Sequence, residues 1–418
     1  MKKKKLGLSA KVFIGFGLGI ILGIIFKEKV LVLKPVGDMF LRLIKMIVVP
    51  LILFSITAGV CSIGDMQKLK RIGSKTLLYY LFTTTLAGGI SLTIANVINP
   101  GKGLSVEEIV ATETVYEAAA TPSVGETILQ MIPDNIFTAF TTGNLMQIIV
   151  FSLFVGIAII IMGDRGVRVR NFFESGAEIM YTITGMVMET SPYGVAALIA
   201  CSVGAYGMKI FGPLAIFIGT VYLALISVIL MYAVMLKLIG KVSLRQFFRK
   251  IPELWLVTSS TTSSSGSLPI TLNVAKNKFG VAEELSSFTL PLGATMNMNG
   301  GVCFYAASVI FVSQIYGIEL SFTQQAMTVL MATLVSVGAP GIPGGAIVMS
   351  TMLLSTMGLP LDVVGMIAGI FRLIDMGTTT INVTGDVVST ICIARGENMI
   401  DYSVYNDSTA KTTIGVSK

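Results

Sequence analysis

The sequence alternates long apolar runs with short polar connections along nearly its whole length. A helix that crosses a bilayer needs about 20 apolar residues, and eight runs reach that length. They lie near residues 10–27, 36–62, 73–99, 145–163, 175–204, 208–236, 284–316 and 361–394. A mean hydropathy of +0.82 and a charged fraction of only 13% exclude an ordinary soluble protein. We therefore predict an all-α polytopic membrane protein with eight transmembrane helices.

Charged residues predict how these helices are oriented. Lys and Arg cluster between apolar runs at Met1–Lys5, Gln67–Lys75, Asp164–Arg170, Lys237–Lys250 and Lys276–Lys278. Such clusters mark cytoplasmic loops, so the net charge of +7 is a topology signal and does not indicate nucleic acid binding. The acidic stretch Gly101–Glu126 is then external. We expect both termini in the cytoplasm of a cell-membrane protein, with the first run kept as an uncleaved helix.

Two other residue types limit the chemistry. The chain has no histidine, which excludes Ser-His and Cys-His nucleophilic catalysis and His-ligated zinc. Cysteines stand singly in apolar runs, without CxxC spacing, and we interpret them as packing residues. They are Cys61, Cys201, Cys303 and Cys392. We expect no enzymatic activity.

The first apolar run carries a small residue at every fourth position. Gly15, Gly19 and Gly23 fall on one face of a helix. This spacing lets another helix approach closely in a membrane. We predict a packing face there and assign it no chemistry.

The last apolar run contains a polar stretch, Asp375–Asp386, with two carboxylates, one amide and four threonines. Such groups are costly inside a bilayer and usually serve a function there. At 100° per residue, Asp375, Thr378 or Thr379, Asn382 and Asp386 share one narrow stripe of a helix. The stripe favours a ligand-binding face. A polar seam that only joins helices is the alternative.

Two further segments are apolar but have arms too short to cross a bilayer. Leu244–Ala275, the first hairpin, carries a polar tip at Thr258–Ser267. Phe322–Thr356, the second hairpin, is broken at Ser336–Gly345 by glycines and two prolines. We predict re-entrant hairpins, the first from the cytoplasm and the second from outside, with ordinary surface loops as the alternative.

Each hairpin is followed by an apolar run that we predict to be interrupted by a polar patch. The patches are Thr295–Gly301 and Asp375–Asp386. A hairpin followed by a broken helix, occurring twice from opposite sides, is an inverted repeat of the kind that secondary transporters build around a midplane site. The ligand site should therefore lie between the two hairpin tips.

The patches supply oxygen ligands for a small hard cation. Unwound backbone at Asn297–Gly301 would expose carbonyl oxygens, and Asp386 with the amides of Asn297 and Asn382 would complete a Na⁺ site. In the first hairpin, N–H groups around Ser264, Ser265 and Gly266 suit a substrate carboxylate. A substrate ammonium would partner Asp375, because a buried carboxylate needs a counter-charge. The residues thus predict an amino acid ligand.

Several motifs are similar to those of one known family. They are Leu41–Pro50, Ser263–Pro269, Phe288–Asn297, Pro343 with its neighbouring glycines, and Asn382–Asp386. On these motifs the chain resembles the dicarboxylate/amino acid:cation symporters, which include archaeal aspartate transporters and mammalian glutamate and neutral amino acid transporters. The resemblance covers nearly the whole chain.

The resemblance implies an elevator mechanism and a homotrimer in the lipid bilayer. Residues 1–240 would form mainly the scaffold and the trimer contacts, with the third and sixth helices joining the transport core. That core would be residues 241–400, and a cytoplasmic tail would follow at 401–418. The core would slide across the membrane with its cargo.

The resemblance also implies roles for individual residues. Implied substrate-binding residues are Ser263, Ser264, Ser265, Gly266, Gly301, Ala339, Gly341, Asp375, Thr378, Thr379 and Asn382. One implied Na⁺ site uses Gly293, Asn297, Asn382 and Asp386; a second uses Thr295, Met298, Ser336, Val337 and Ala339; a third would use Tyr80, Thr83, Thr84 and Asn297.

Departures from the family pattern bear on substrate and ions. Acidic amino acid transporters carry an arginine for the substrate side chain where this chain has Thr378, and the arginine of some first hairpins is Thr262. Asn299 replaces the carboxylate of the third Na⁺ site, so we expect two ions, with proton coupling as an alternative. Gly301 replaces a hydroxyl residue near the substrate. Arg372, three residues before Asp375, is either structural or an anchor for an acidic side chain.

We therefore predict a Na⁺-coupled symporter or exchanger of small neutral amino acids, because Thr378 cannot pair with a substrate side-chain carboxylate. The alternative is an acidic amino acid or dicarboxylate symporter, with proton coupling and Arg372 as the anchor. A passive channel on the same scaffold is a further alternative.

Overall fold

The computed structural model describes residues 8–64, 70–102, 129, 132–206, 211–337, 339 and 341–407. The cluster at Met1–Lys5, nearly all of the acidic stretch Gly101–Glu126 and residues 408–418 of the tail lie outside this part of the chain. The predictions made from those segments, including the positions of the termini, therefore remain predictions.

Regular structure in the described residues is helical, apart from an isolated bridge between Val281 and Ile400. The first helices are α1 Leu8–Phe26, α2 Lys34–Gly64, α3 Lys70–Ile98, α4 Ile136–Thr142, α5 Leu145–Met162, α6 Val167–Glu189, α7 Ser191–Tyr206 and α8 Phe211–Met235. They are followed by α9 Leu244–Lys250, α10 Pro252–Thr261, α11 Ser264–Asn277, α12 Glu283–Met296, α13 Asn299–Ile315, α14 Phe322–Ser336, α15 Gly345–Thr356, α16 Val364–Gly396 and α17 Tyr402–Asn406. The prediction of an all-α fold is confirmed.

Six helical stretches within the described residues are long and apolar enough to cross a membrane. They are Lys11–Cys61, Ile72–Ile98, Gln147–Glu189, Phe211–Gly240, Glu283–Ile315 and Val364–Gly396. Short 3₁₀ turns at Lys27–Leu33 and Gly163–Gly166 divide the first and third of these stretches into two helices each. The chain is a multi-pass membrane protein by these lengths and compositions.

The predicted glycine face of α1 packs against α7. A Cβ atom added at Gly15, Gly19 or Gly23 would come within 2.3 to 2.6 Å of backbone or side-chain atoms of α7. Contacts this close are possible only without a side chain, because the backbones themselves touch. The sequence prediction of a packing face is confirmed.

Gly19→Ala should therefore destabilise the protein, by about 1–3 kcal/mol, because the new methyl group would clash with the Ala196 carbonyl oxygen and Ile199. Gly17→Ala in the same helix is the matched control, since nothing lies within 4 Å of its added Cβ. Thermal denaturation of the purified variants measures both. Equal melting temperatures for Gly19→Ala and Gly17→Ala would contradict this packing.

Helices α1, α2, α5, α6 and α7 form one packed group. Thr57 of α2 donates to the Ser152 carbonyl of α5 at 3.2 Å, and Gly156 leaves room for Val60. Phe54 of α2 packs on Gly176 of α6. These contacts hold the five helices together, and α3 and α8 take no part in them.

Helices α3 and α8 pack instead with the C-terminal helices. Ser91 of α3 donates to the Cys303 carbonyl of α13 at 2.6 Å, and Asn96 donates to Gln325 of α14 at 3.0 Å. Tyr222 of α8 donates to the Leu373 carbonyl of α16 at 2.6 Å. Both helices thus belong physically to the group that surrounds the polar patches.

The first hairpin turns more tightly than the sequence suggested. Its arms are α10 and α11, and only Thr262 and Ser263 between them are non-helical. Thr262 has a left-handed backbone (φ +48°), and the Ser263 hydroxyl caps α11 by accepting the Gly266 N–H at 2.9 Å. Most hydroxyls of the predicted polar tip bond to carbonyls within the arms, so that tip stays largely helical.

The second hairpin has a longer connection, which joins α14 to α15. A capping box between Ser321 and Gln324 starts α14. Gly344 precedes α15 with φ +83°, a conformation that favours glycine, and a Cβ there would lie 2.3 Å from Met188. The glycines therefore shape the tip where it meets the first helix group.

Only one of the two predicted helix interruptions is present. The backbone unwinds at Asn297 (φ −105°, ψ 64°) and Met298 (φ −93°, ψ 51°), between α12 and α13. The predicted break at Asp375–Asp386 is wrong, because α16 runs unbroken from Val364 to Gly396. The hydroxyls of Thr378, Thr380 and Thr384 donate to backbone carbonyls one turn back, and Thr379 donates to the Asp375 carboxylate, so the helix keeps its polar groups satisfied.

The C-terminal helix α17 fastens the base of the first hairpin. The Lys250 ammonium donates to the carbonyls of Lys278, Val404 and Tyr405 at 2.7 to 2.8 Å. Burial lowers the pKa of Lys250 from its ordinary value, and the charge of Asp407 opposes that shift. Because three carbonyls hold one cation, α9 and α17 are tied together at the foot of the hairpin.

Candidate functional site

The tips of the two hairpins touch each other. The Ser263 hydroxyl donates to the Gly341 carbonyl at 2.6 Å, and the Ser265 N–H donates to the same oxygen at 3.1 Å. A Cβ on Gly341 would lie 2.6 Å from both the Ser265 hydroxyl and the Ala294 carbonyl. The segments that the sequence predicted to face one another are therefore in direct contact through a backbone with no side chain.

A small polar cavity lies beneath these tips. It is lined by Thr262, Ser264, Met298, Gly301, Tyr305, Ala339, Gly341, Ile342, Ala346, Asp375, Thr378, Thr379 and Asn382. Both hairpins, α13 and α16 contribute to it. Among these lining residues only Asp375 is ionisable to a charge near neutral pH, so the cavity is polar with one acidic group.

Asp375 is held from two sides. Its Oδ2 accepts the N–H of Gly344 at 3.3 Å, and its Oδ1 accepts the Thr379 hydroxyl at 3.4 Å. The Arg372 guanidinium lies 3.6 Å from Oδ2, one turn earlier in α16. Asp375 therefore connects the second hairpin, its own helix and the partly buried cation of Arg372.

Asn382 holds the break between α12 and α13. Its Oδ1 accepts the N–H groups of Gly300 at 2.7 Å and Gly301 at 3.3 Å, while its Nδ2 lies 3.3 Å from the Met298 sulfur. In a continuous helix those two N–H groups would serve the carbonyls four residues back. Since the amide of Asn382 takes them instead, the break is stabilised by a side chain of another helix.

Asp386 lies beside the same break, one turn beyond Asn382. Asn297 Nδ2 donates to Asp386 Oδ1 at 2.8 Å, and Thr83 donates to Asn297 Oδ1 at 3.2 Å. A Cβ on Gly293 would come within 2.5 Å of Asp386 Oδ1 and 2.9 Å of the Tyr80 hydroxyl. The Asp386 carboxylate, the Asn297 amide and the hydroxyls of Thr83 and Tyr80 therefore lie close together, and oxygens of these kinds are ligands that suit Na⁺.

Asn299 sits in a neighbouring network that has no formal charge. Its Oδ1 accepts the Thr84 hydroxyl at 2.6 Å, and its Nδ2 donates to the Tyr232 hydroxyl at 2.6 Å. Tyr232 in turn donates to the Ile381 carbonyl at 3.2 Å. The amide nitrogen fills a position in which a carboxylate oxygen could not donate, so this network closes without a cation.

Comparison with known proteins identifies the family of this chain. Residues 8–396 match the sodium:dicarboxylate symporter family. The chain belongs to that family. The chain is 35% identical to a proton/sodium-glutamate symport protein of Bacillus caldotenax, over 98% of this chain and 97% of that protein. It is 32% identical to the proton/glutamate-aspartate symporter of Escherichia coli strain K12, over 96% and 95% of the two chains. A C4-dicarboxylate transport protein of Bacillus subtilis strain 168 is 29% identical, over 94% of each chain.

Within this symporter, the predicted substrate residues fall into two sets. Ser264, Gly301, Ala339, Gly341, Asp375, Thr378, Thr379 and Asn382 line the cavity. Ser263 and Ser265 join the hairpin tips above it, and Gly266 is exposed beyond them. The positions of these residues are known, whereas their roles toward a ligand remain predictions.

The residues predicted to bind Na⁺ also fall into two sets. Asn297, Asp386, Gly293, Tyr80 and Thr83 lie together, as described above. Thr295 bonds to the Leu292 carbonyl at 3.0 Å and Ser336 to the Thr333 carbonyl at 2.7 Å, each within its own helix. Val337 and Ala339 continue the second hairpin beyond Ser336, so the second predicted Na⁺ site would draw on helix ends.

Sequence reasoning missed three residues that line the cavity. Tyr305 lines the cavity one turn after Gly301, and Ile342 and Ala346 line it from the second hairpin. Tyr232, whose hydroxyl meets Asn299, was also missed. A buried tyrosine in an apolar helix needs a partner for its hydroxyl, and that was the available signal.

The polar stretch of α16 also serves as a structural seam. Trp255 of the first hairpin donates to the Thr384 hydroxyl at 2.8 Å, and the hydroxyls of Thr258 and Thr380 lie 3.0 Å apart. These threonines are off the stripe that carries Asp375 and Asp386. Ligand face and helix seam therefore occupy different faces of one helix.

Asp386→Asn should weaken Na⁺ binding by at least about tenfold, because a cation site that loses its charged ligand loses much of its affinity. Sodium titration followed by the melting temperature of the purified protein measures this. Asp362→Asn, on the exposed start of the same chain segment, is the matched control and should titrate as the wild type does. Unchanged sodium dependence in Asp386→Asn would remove Asp386 from the cation site.

Proposed function

We propose that the chain is a cation-coupled symporter for an acidic amino acid or a small dicarboxylate. The observation that carries this is the polar cavity between the hairpin tips, α13 and α16, with a cluster of cation-binding groups next to it. The names of the relatives favour the acidic substrate over the small neutral amino acid predicted from Thr378. The ion pair of Asp375 with Arg372 supports that choice, since it offsets the only charge lining the cavity.

We propose that two sets of polar residues on opposite sides of this cavity hold the ligand carboxylates. The hydroxyls of Thr378 and Thr379 and the amide of Asn382 line one side, and the N-terminus of α11 at Ser264 faces them. Backbone N–H groups at a helix N-terminus favour anions. One carboxylate is proposed to lie at Ser264 and Asn382, with a ligand ammonium or hydroxyl at Asp375.

A small neutral amino acid is the second candidate. Thr378 supports it, because it lines the cavity where an arginine would be needed to pair with a second carboxylate. Arg372 lines a different cavity, on the far side of Asp375. The prediction of a neutral substrate therefore has a structural observation in its favour, while the relatives' names point the other way.

Sodium is the proposed coupling ion, held by Asp386, Asn297 and the backbone near Gly293. Two ions are proposed rather than three, since the network around Asn299 is complete with Thr84 and Tyr232. Relatives named for proton as well as sodium coupling keep proton coupling as an alternative.

The architecture proposed with this function has eight crossings and two re-entrant hairpins. Two of the six membrane-length stretches contain two helices each, which supports eight crossings. The hairpin arms have 10, 14, 15 and 12 residues, or about 15 to 22 Å at 1.5 Å per residue, less than the bilayer core.

Two packed groups support an elevator movement. Helices α1, α2, α5, α6 and α7 are proposed as the scaffold within residues 1–240. Helices α3 and α8 are proposed to move with the transport core of residues 241–400, to which their hydrogen bonds join them. A homotrimer in the cell membrane, with cytoplasmic termini, is proposed from the family resemblance.

A ligand panel on the purified protein tests the function. Glutamate, aspartate, malate, succinate, serine, alanine and threonine are each added in Na⁺, in K⁺, and at low pH without either, and the melting temperature is recorded. We expect acidic ligands to raise it when Na⁺ or protons are also supplied, since both bind the folded state. A shift with serine, alanine or threonine alone would select the neutral candidate, and no shift with any ligand would contradict both.

A further inference from the structure

Arg372 places a partly buried guanidinium beside the acidic group of the cavity. Its Nη1 lies 3.6 Å from Asp375 Oδ2, and the two side chains are 12% and 6% exposed. Two opposite charges this close attract strongly when water is largely excluded. The pair is internal to α16, three residues apart on one helical turn.

The two faces of the Asp375 carboxylate look into different spaces. On one side is the ligand cavity, which Asp375 lines with Thr378, Thr379 and Asn382. On the other is a second, small and mainly apolar cavity between the second hairpin, α16 and the first helix group. Arg372 lines only that second space, together with residues such as Phe40 and Phe371.

This arrangement divides the work of the two carboxylate oxygens. Oδ2 lies near the Arg372 guanidinium and accepts the Gly344 N–H, and both of these residues line the second cavity. Oδ1 is bonded by the Thr379 hydroxyl at 3.4 Å, a long contact, and Thr379 itself lines the ligand cavity. Arg372 thus anchors Asp375 so that Oδ1 is presented to the ligand.

The positive charge of Arg372 affects which ligands Asp375 can bind. A buried carboxylate without a counter-ion requires a cation from its ligand to stay ionised. With Arg372 beside it, Asp375 already has that cation, and a ligand hydroxyl can donate to Oδ1 in place of an ammonium. An unpaired acid would also repel a dicarboxylate, whereas the ion pair does not.

We propose that Arg372 is the built-in counter-ion of Asp375 and that it lets the cavity accept small carboxylates with or without an amino group. Arg372 is a positioning residue that acts through Asp375 and does not touch the ligand. The substrate class becomes 2-amino acids together with their 2-hydroxy and unsubstituted carboxylate analogues. This inference rests on the proposed function and makes its substrate class more specific.

Matched ligand pairs test the inference. Aspartate is compared with malate and succinate, and serine with glycerate, by calorimetric titration of the full-length protein in saturating Na⁺. In the wild type, at least one amino-free ligand should bind within about tenfold of its amino acid partner. In Arg372→Gln that ligand should lose at least about thirtyfold in affinity, while the amino acid, which brings its own ammonium, should stay within about threefold.

Two further variants separate this role from a structural one. Arg372→Lys keeps the cation and should restore binding of the amino-free ligand. Arg395→Gln removes an arginine from the last turn of the same helix and should leave every affinity unchanged. If Arg372→Gln does not fold, the wild-type affinities for malate, succinate and glycerate relative to those for aspartate and serine still test the inference.

The outcomes are distinct. A wild type that binds aspartate or serine but neither malate, succinate nor glycerate would overturn the inference and leave the proposed function intact. An equal loss of both ligands of a pair in Arg372→Gln would also overturn it, because the residue would then act only on the fold. No binding by any of these ligands would contradict the proposed function itself.

Discussion

The amide of Asn382 is the interaction on which the rest of the site depends. A membrane-spanning helix cannot unwind unless its released backbone groups find partners, because the bilayer offers no water to replace them. Asn382 takes the N–H groups of Gly300 and Gly301, and by doing so allows the chain to bend between α12 and α13. Gly300 must lack a side chain for this, since a Cβ there would lie 2.2 Å from the Thr378 carbonyl.

The two proposed binding sites lie in opposite directions along α16 from this contact. One turn along α16, Asp386 meets Asn297 at the break and faces the proposed cation site. Two turns back, Asp375 meets the second hairpin at Gly344 and faces the ligand cavity. A cation in the proposed site at Asp386 and a ligand in the cavity at Asp375 would therefore both contact α16, which also holds the unwound backbone between α12 and α13. This shared geometry is the physical basis that we propose for coupling.

Much of this could be predicted from the sequence. Apolar run lengths predicted the helices, and the four-residue glycine spacing of α1 predicted its close packing. The stripe predicted that Asp375, Thr378, Thr379 and Asn382 line one cavity, whereas its last member, Asp386, lies at the helix break instead. Glycine and proline signals also placed the second hairpin tip. These features follow from local periodicity, which a single sequence displays directly.

Other features depend on partners that are distant in the chain. Composition made the Asp375–Asp386 stretch look like a helix break. Its threonine hydroxyls instead form hydrogen bonds within α16 or with Trp255 and Thr258 of the first hairpin, so the helix continues. Tyr232 pairs with Asn299, 67 positions away, so the sequence indicates that the Tyr232 hydroxyl needs a partner but does not indicate which one. The sequence shows that Arg372 is three residues from Asp375. It does not show on which side of the carboxylate Arg372 lies, because that depends on how the second hairpin packs.

Uptake into proteoliposomes tests the central claim most directly. Purified protein is reconstituted, and labelled aspartate and serine are supplied outside with an inward Na⁺ gradient, with an inward proton gradient, or with no gradient. The account predicts that one of these ligands accumulates above its external concentration only when a cation gradient is present, and that Asp386→Asn abolishes the accumulation driven by Na⁺. Uptake that stops at equal concentrations on both sides, with or without either gradient, would contradict the coupling of cation and ligand through this site.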